Sequence, residues 1–394
     1  MQSANGRAAA GYFGAFVAVG SATAVLGPTL LRLAEGTGSQ LGQASFLFTA
    51  MAFGYLGGSL LGGRFYDRVP GHPVMAGALL VMAAMLALAP AVPNLWLLAL
   101  AVILLGMASS MVDVGGNTLL VWVYGRRVGP YMNALHFFFG LGSTLAPIVV
   151  ALAVQRSDEI SGAYRLLALL ILPAAVWLWR VPSPSAPAQP ADEPGTEALS
   201  RASTRWLLVL LVLLFFLYVS GEVGFAGWIA PYAVRQGLAN EVTAAYLASA
   251  FWGALTVGRL LGVPLAARFR PSRILLADLL GCLASVSVLL LWPGSQAAAW
   301  VAAGGLGFSM ASFFPTLIAL AERRLTITGR ITGWFLAGSS VGGMTLPWLM
   351  GQLFEARGPR SAMAMVAGGV LAELGVLGLL MLNSRRLPRQ IVVE

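Results

Sequence analysis

Asp113 and Asn117 are the first pair in the chain whose types and spacing suggest chemistry. They lie within an apolar run from about Leu95 to Val123, in a stretch of small and polar residues, 106–118. Four residues apart, they share one face of a helix, with Gly116 beside them. An ionised carboxylate in hydrocarbon is costly, so such an acid faces a bundle interior or a watery cavity. Two roles stay open: coupling to a cation, or pinning neighbouring helices together.

A second set of polar groups sits in other apolar runs. Glu222 falls roughly half way through a hydrocarbon core of about 30 Å. With no cation beside it in sequence, it is expected to be protonated, solvated or cation-bound, or to hydrogen-bond a neighbouring backbone. Arg259 lies about 13 Å and Asp113 about 15 Å from the inner ends of their helices, at about 1.5 Å per residue. Their matched depths predict a pair that cation binding at Asp113 would release; the alternative for Arg259 is a fixed contact near an inner gate. His136 and Asn133, one turn apart, would serve the same cavity. A neutral imidazole can bond a hydroxyl or relay a proton, or simply pack. Trp228, Trp252 and Trp334 could offer flat platforms to a ring-shaped solute, or serve as packing and interfacial anchors.

Other chemistry is excluded. The chain has no phosphate-binding Walker sequence and no serine or cysteine nucleophile with a plausible base. Its one cysteine, Cys282, permits neither an internal disulfide nor a metal cluster. An enzyme is therefore not expected, nor a cofactor beyond a coupling ion, H+ or Na+. The net charge of +9 comes from arginines scattered in short loops, which argues against nucleic acid as a partner.

The elements that must hold these groups are membrane helices. Of 394 residues, 58% are hydrophobic and only 10% charged, against about 25% charged in soluble domains. Apolar runs near 20 residues recur throughout. They predict helices at about 8–33 (kinked at Gly27-Pro28), 45–65, 74–91, 95–123, 131–154, 163–179, 206–234, 243–268, 273–292, 297–321, 331–353 and 361–382. Arg7 and Ala22-Thr-Ala24 imitate a secretory signal, but its removal would break the even count, so this run is read as the first helix. Between the sixth and seventh helices, 181–204 is rich in proline and polar residues and reads as a disordered linker. It divides the chain into bundles 1–180 and 205–394.

The halves repeat. Gly54, Gly58, Gly62, Arg64 and Phe65 match Gly258, Gly262, Ala266, Arg268 and Phe269; Gly142 and Pro147 match Gly342 and Pro347. Small residues four apart let helices approach closely, and a parallel repeat places a substrate at midplane between halves. With the N-terminus inside, 17 arginines fall on cytoplasmic segments and six opposite, which puts both termini in the cytoplasm.

The segment Gly63-Arg-Phe-Tyr-Asp67-Arg68-Val-Pro-Gly71-His72 resembles the Gly-x-x-x-Asp-Arg-x-Gly-Arg signature of the major facilitator superfamily, with one insertion and His72 for a basic residue. Three further stretches look like the fucose–proton symporter and sodium-dependent glucose transporter group. They are Asp113-Val-Gly-Gly-Asn117, Ala134-Leu-His136-Phe-Phe-Phe-Gly140-Leu-Gly142 and Tyr218-Val-Ser-Gly221-Glu222-Val-Gly224. One departure is that fucose symporters carry an acid in the first helix, where this chain has only Ser21, Thr23 and Thr29. The resemblance implies an all-α major facilitator fold of twelve transmembrane helices in two pseudo-symmetric bundles. It also implies a helix-four acid coupled to cation movement beside a sugar site, and gating roles for Asp67 and Arg68. Asp278 and Glu373 fall in helices that are peripheral in this superfamily and are left out of the site.

The expectation is a cation-coupled secondary transporter in the inner membrane, moving a small polar solute, a monosaccharide before others, as a monomer. Asp113 and Glu222 would couple the cation, Asn117, Asn133, His136 and the three tryptophans would bind the substrate, and Asp67, Arg68 and Arg259 would gate. The alternative is a proton-driven exporter of hydrophobic drugs or metabolites, which would tolerate a mostly apolar cavity.

Overall fold

A chain this apolar must satisfy its backbone within each segment, and all regular structure among the described residues is helical. The computed structural model describes residues 2–66, 68–185, 202–323, 325 and 329–384. The first half contains α1 (Gln2–Ala24), α2 (Leu26–Gly36), α3 (Leu41–Ala44), α4 (Phe46–Tyr66), α5 (Gly71–Leu88), α6 (Leu95–Tyr124), α7 (Gly129–Ser157) and α8 (Ser161–Arg180). The second contains α9 (Ala202–Arg235), α10 (Glu241–Arg268), α11 (Pro271–Leu291), α12 (Gln296–Met310), α13 (Phe313–Glu322), α14 (Gly329–Arg357) and α15 (Arg360–Ser384). Pairs α1–α2, α3–α4 and α12–α13 each make one pass, so the fifteen helices make twelve.

Ten helical segments are long and apolar enough to cross a membrane, and the bent pair α1–α2 makes an eleventh. The remaining pass, α14, is 29 residues long but diluted by Gly338-Ser-Ser-Val-Gly-Gly343.

Two breaks follow one rule. The bend between α1 and α2 is 51° and falls at Val25, one turn before the expected Gly27-Pro28. Pro28 has no N–H for the carbonyl of Ala24, and its ring crowds that group. The tenth predicted helix, expected unbroken over 297–321, is likewise interrupted at Ala311–Ser312, four residues before Pro315.

The repeat is visible in packing. α4 on α6 corresponds to α10 on α12, α1 on α7 to α9 on α14, and α5 on α8 to α11 on α15. A Cβ at Gly54 or Gly58 would meet the backbone carbonyl of Ile103 or Met107, and one at Gly258 would come within 2.9 Å of that of Phe308. Gly142 stands against the Val17 carbonyl as Gly342 stands against that of Phe216. The halves meet along α7–α10 and α4–α14.

The proline-rich run is only partly described, since 186–201 lie outside the described residues. Its first residues are tied down: the Val181 carbonyl lies 2.8 Å from Nδ1 of buried His72, and Ser183 Oγ accepts the His72 backbone N–H at 2.9 Å. Nδ1 must therefore carry the ring proton, and Tyr12 donates its hydroxyl to Nε2 at 2.7 Å.

Candidate functional site

The site is built on α6, α4, α7, α9 and α10. Asn94 starts α6 by accepting from the backbone N–H groups of Trp96 and Leu97, a cap for otherwise unpaired donors. This apolar helix then carries Asp113 and Asn117 inward, both half-buried. Close approach at Gly54 and Gly58 brings α4 against it, so Tyr55 donates its hydroxyl to Asp113 Oδ2. Asn117 Nδ2 donates to Asp113 Oδ1 at 3.0 Å and to the Asp113 carbonyl at 2.9 Å. Both oxygens thus have neutral donors and, among the described residues, no cation. Tyr55 can donate to an ionised Asp113 or accept from a protonated one. Asn117 has committed its amide N–H group, leaving Oδ1 as an acceptor for a solute.

The second half supplies a charged pair. Arg259 Nη2 lies 3.9 Å from Glu222 Oε1, with the side chains 27% and 12% exposed. This corrects two expectations. Arg259 is paired within its own half, not across to Asp113, and Glu222 has a compensating cation one helix away. Depth along a helix gives height but not the direction in which a side chain leaves it. At 3.9 Å the contact is longer than a charge-assisted hydrogen bond, so guanidinium donors remain for another partner. Tyr218, one turn before Glu222, lies beside both charges; it donates to the Met310 carbonyl at 3.2 Å and stacks on Phe313.

Across the seam, Arg259 is within electrostatic reach of His136. His136 is solvent-accessible, with the edge of Phe16 against it at 5.9 Å. Asn133 is also exposed on α7. The tryptophans are placed differently. Trp228 is fully buried, donates to the Pro347 carbonyl at 2.9 Å and packs on Phe354. Trp252 is buried against Phe251 and Phe139. Neither offers a free face here, because each ring fills a helix-packing position. Trp334 is half exposed. Asp67 lies outside the described residues, and Arg68 beside it is exposed.

Groups not anticipated from sequence close the other end. Arg32 on α2 pairs with Glu241 at 2.7 Å and with Asp158 at 2.6 Å. Gln352 donates to the Gly42 carbonyl, Ser45 to that of Trp348, and Thr49 to that of Met344. Among the described residues, the hydrogen bonds and ion pair joining the halves all lie away from the face that bears both termini. Tyr55, Arg32 and Glu241 gave little signal: one reads as a packing aromatic and two as loop charges.

Two repeated bundles in a bilayer, closed at one end and lined at the seam by polar groups, define a membrane solute transporter and not an enzyme. The chain belongs to the Major Facilitator Superfamily, whose sequence pattern matches residues 11–344. It is 31% identical over 358 residues to sodium-dependent glucose transporter 1 of Xenopus laevis, covering 84% of this chain and 73% of that protein. It is 30% identical to sodium-dependent glucose transporter 1A of Mus musculus, covering 86% and 88%. In fold it matches a mutant of the nucleoside transporter NupG, with a TM-score of 0.77 at 12% identity over 95% of this chain and 98% of the other. A bacterial homolog of the human lysosomal transporter Spinster, in an inward-facing and occupied conformation, matches with a TM-score of 0.72 at 12% identity over 96% and 97%.

Proposed function

We propose that this protein is a cation-coupled secondary transporter of a monosaccharide, working by alternating access. The observation that carries the reading is Asp113, a deep acid whose two oxygens meet, among the described residues, only the neutral donors of Tyr55 and Asn117. Such a group can gain or lose a proton, or accept Na+, without first breaking an ion pair. The named activity of the glucose transporter relatives supports a sugar, and the donors and acceptors of Asn117, Asn133, His136 and Arg259 suit several hydroxyls. Trp334 supplies an exposed aromatic, while Trp228 and Trp252 would need a different conformation to take part. Glu222 is the second coupling acid, with Arg259 as its internal counter-ion.

The cycle follows from the closed end. With both termini in the cytoplasm of an inner-membrane protein and the linker at 181–204, the described state opens inward. Cation and sugar leave together, the halves rock, and the contacts around Arg32 open to the outside. Asp67 and Arg68 would brace the inner ends in that outward state. The carrier acts as a monomer.

The experiment is uptake of radiolabelled glucose into proteoliposomes under a sodium gradient, a proton gradient or neither. Accumulation with one gradient supports the reading. Binding without flux would indicate a receptor, and selective flux of apolar compounds would favour the exporter.

A further inference from the structure

Glu373 lies deep in α15, eleven residues before its last residue, Ser384, about 16 Å along the helix. It is 3% exposed. Among the described residues no hydrogen bond or ion pair is found for it. An unpaired carboxylate in such surroundings is costly, a cost that a protonated carboxyl would avoid.

The neighbourhood gives this acid company rather than neutralisation. α15 packs on α9, α11 and α14. From α11 come Asp278 and, one turn on, buried Cys282, whose thiol is within electrostatic reach of both Asp278 and Glu373. α9 and α14 bring no charged group within such reach of Glu373 among the described residues. Ser312 donates to Asp278 Oδ2 at 2.7 Å, and Ser312 stands at the interruption between α12 and α13. Interrupted membrane helices are a recurring setting for ion sites. Asp278, seven residues into α11, lies about 10 Å from the helix start, nearer the face with the termini than Glu373.

We infer that Glu373 is a proton-binding site separate from Asp113 and Glu222, its carboxyl holding the proton where α15 packs on α9 and α11. A metal is disfavoured, because no group of three acidic, histidine or cysteine side chains able to hold one occurs among the described residues.

The test is an infrared difference spectrum of the full-length protein in liposomes at neutral pH, wild type against Glu373→Gln. The expected result is a protonated-carboxyl carbonyl band that the variant lacks. Carboxylate bands in its place, or their appearance on adding Na+, would overturn the assignment. Thermal stability gives a second readout. If Glu373 keeps its proton when folded and loses it to water on unfolding, the folded state binds more protons, so stability falls as pH rises. Glu373→Gln should flatten that slope by up to one proton per molecule, and an unchanged slope counts against the site. Should the variant not fold, wild type is treated with a hydrophobic carbodiimide. The carboxyl O–H adds across its C=N bond, and the O-acylisourea rearranges to a stable N-acylurea. Mass spectrometry should find the adduct on Glu373; an unmodified Glu373 would overturn the proposal.

Discussion

Arg32 Nε and Glu241 Oε2 meet at 2.7 Å, and this contact ties α2 of the first half to the start of α10 in the second. Asp158, held in the left-handed region at φ 55°, takes the other arm of the same guanidinium at 2.6 Å. One arginine thus clasps the ends of α7 and α10, the helices that form one of the two seams.

Breaking that clasp should open the closed end. Both side chains are over a quarter exposed, so the pair contributes at most about 1 kcal/mol, a shift of up to roughly fivefold in the conformational equilibrium. Arg32→Gln should increase labelling of a cysteine placed at Thr49 by a membrane-impermeant maleimide, since native Cys282 is buried. Unchanged labelling would show that Arg32 does not hold the gate.

Tyr55→Phe removes a donor from Asp113 without changing shape. The lost bond to a charged group contributes about 1.5–3 kcal/mol when the acid is ionised. Because ion binding gives up that bond, the concentration of coupling ion giving half-maximal uptake should change by about ten- to a hundredfold in this variant. Asn117→Ala should raise the sugar concentration needed for half-maximal uptake, by a hydrogen bond of about 0.5–1.5 kcal/mol, besides freeing Asp113 Oδ1. Equal ion dependence in wild type and Tyr55→Phe would remove Tyr55 from the coupling site.

Gly58→Val should cost about 1–3 kcal/mol, because a Cβ there would press on the Met107 carbonyl and push α4 off the helix that bears Asp113. Gly57→Val is the control, since a Cβ at Gly57 meets nothing within 4 Å. Thermal unfolding in detergent should show a drop of several degrees for the first variant alone. Equal transitions would mean that the α4–α6 approach is not tightly constrained.

Tags at both termini should be reached only from the cytoplasm, as the arginine bias requires. A reporter fused at residue 394 and active outside the cell would reverse the orientation, and with it the direction in which the described state opens.

The helices were legible because apolar length and repeated glycines are local properties of a chain. The matches of Gly54 with Gly258 and Gly142 with Gly342 gave the correspondence of helices between the halves, while the helices that these glycines touch came only with the structure. Pro28 marked one break, which falls a turn earlier at the carbonyl it cannot serve, whereas the break before Pro315 was not read, because Pro147, Pro231 and Pro347 sit inside unbroken helices. The partners of the charges were harder to read. Asp113 and Arg259 agree in depth, yet they leave their helices toward Tyr55 and Glu222. Tyr55 sits among glycines and apolar residues, where an aromatic signals packing until the facing helix is known. Trp228 and Trp252 looked available for the same reason: sequence gives a ring its helix but not its neighbours. Arg32 and Glu241, 209 residues apart, meet only once both bundles are assembled.

The most direct test of the coupling role of Asp113 compares gradient-driven uptake with counterflow of labelled glucose in proteoliposomes, for wild type and Asp113→Asn. The amide keeps the shape and removes the charge, so it mimics an acid that already holds its cation, and a carrier can still move between two states. The account predicts that Asp113→Asn loses uphill accumulation while counterflow persists. Accumulation equal to wild type would contradict it, make Asp113 a packing residue, and leave Glu222 as the acid to which coupling must be assigned.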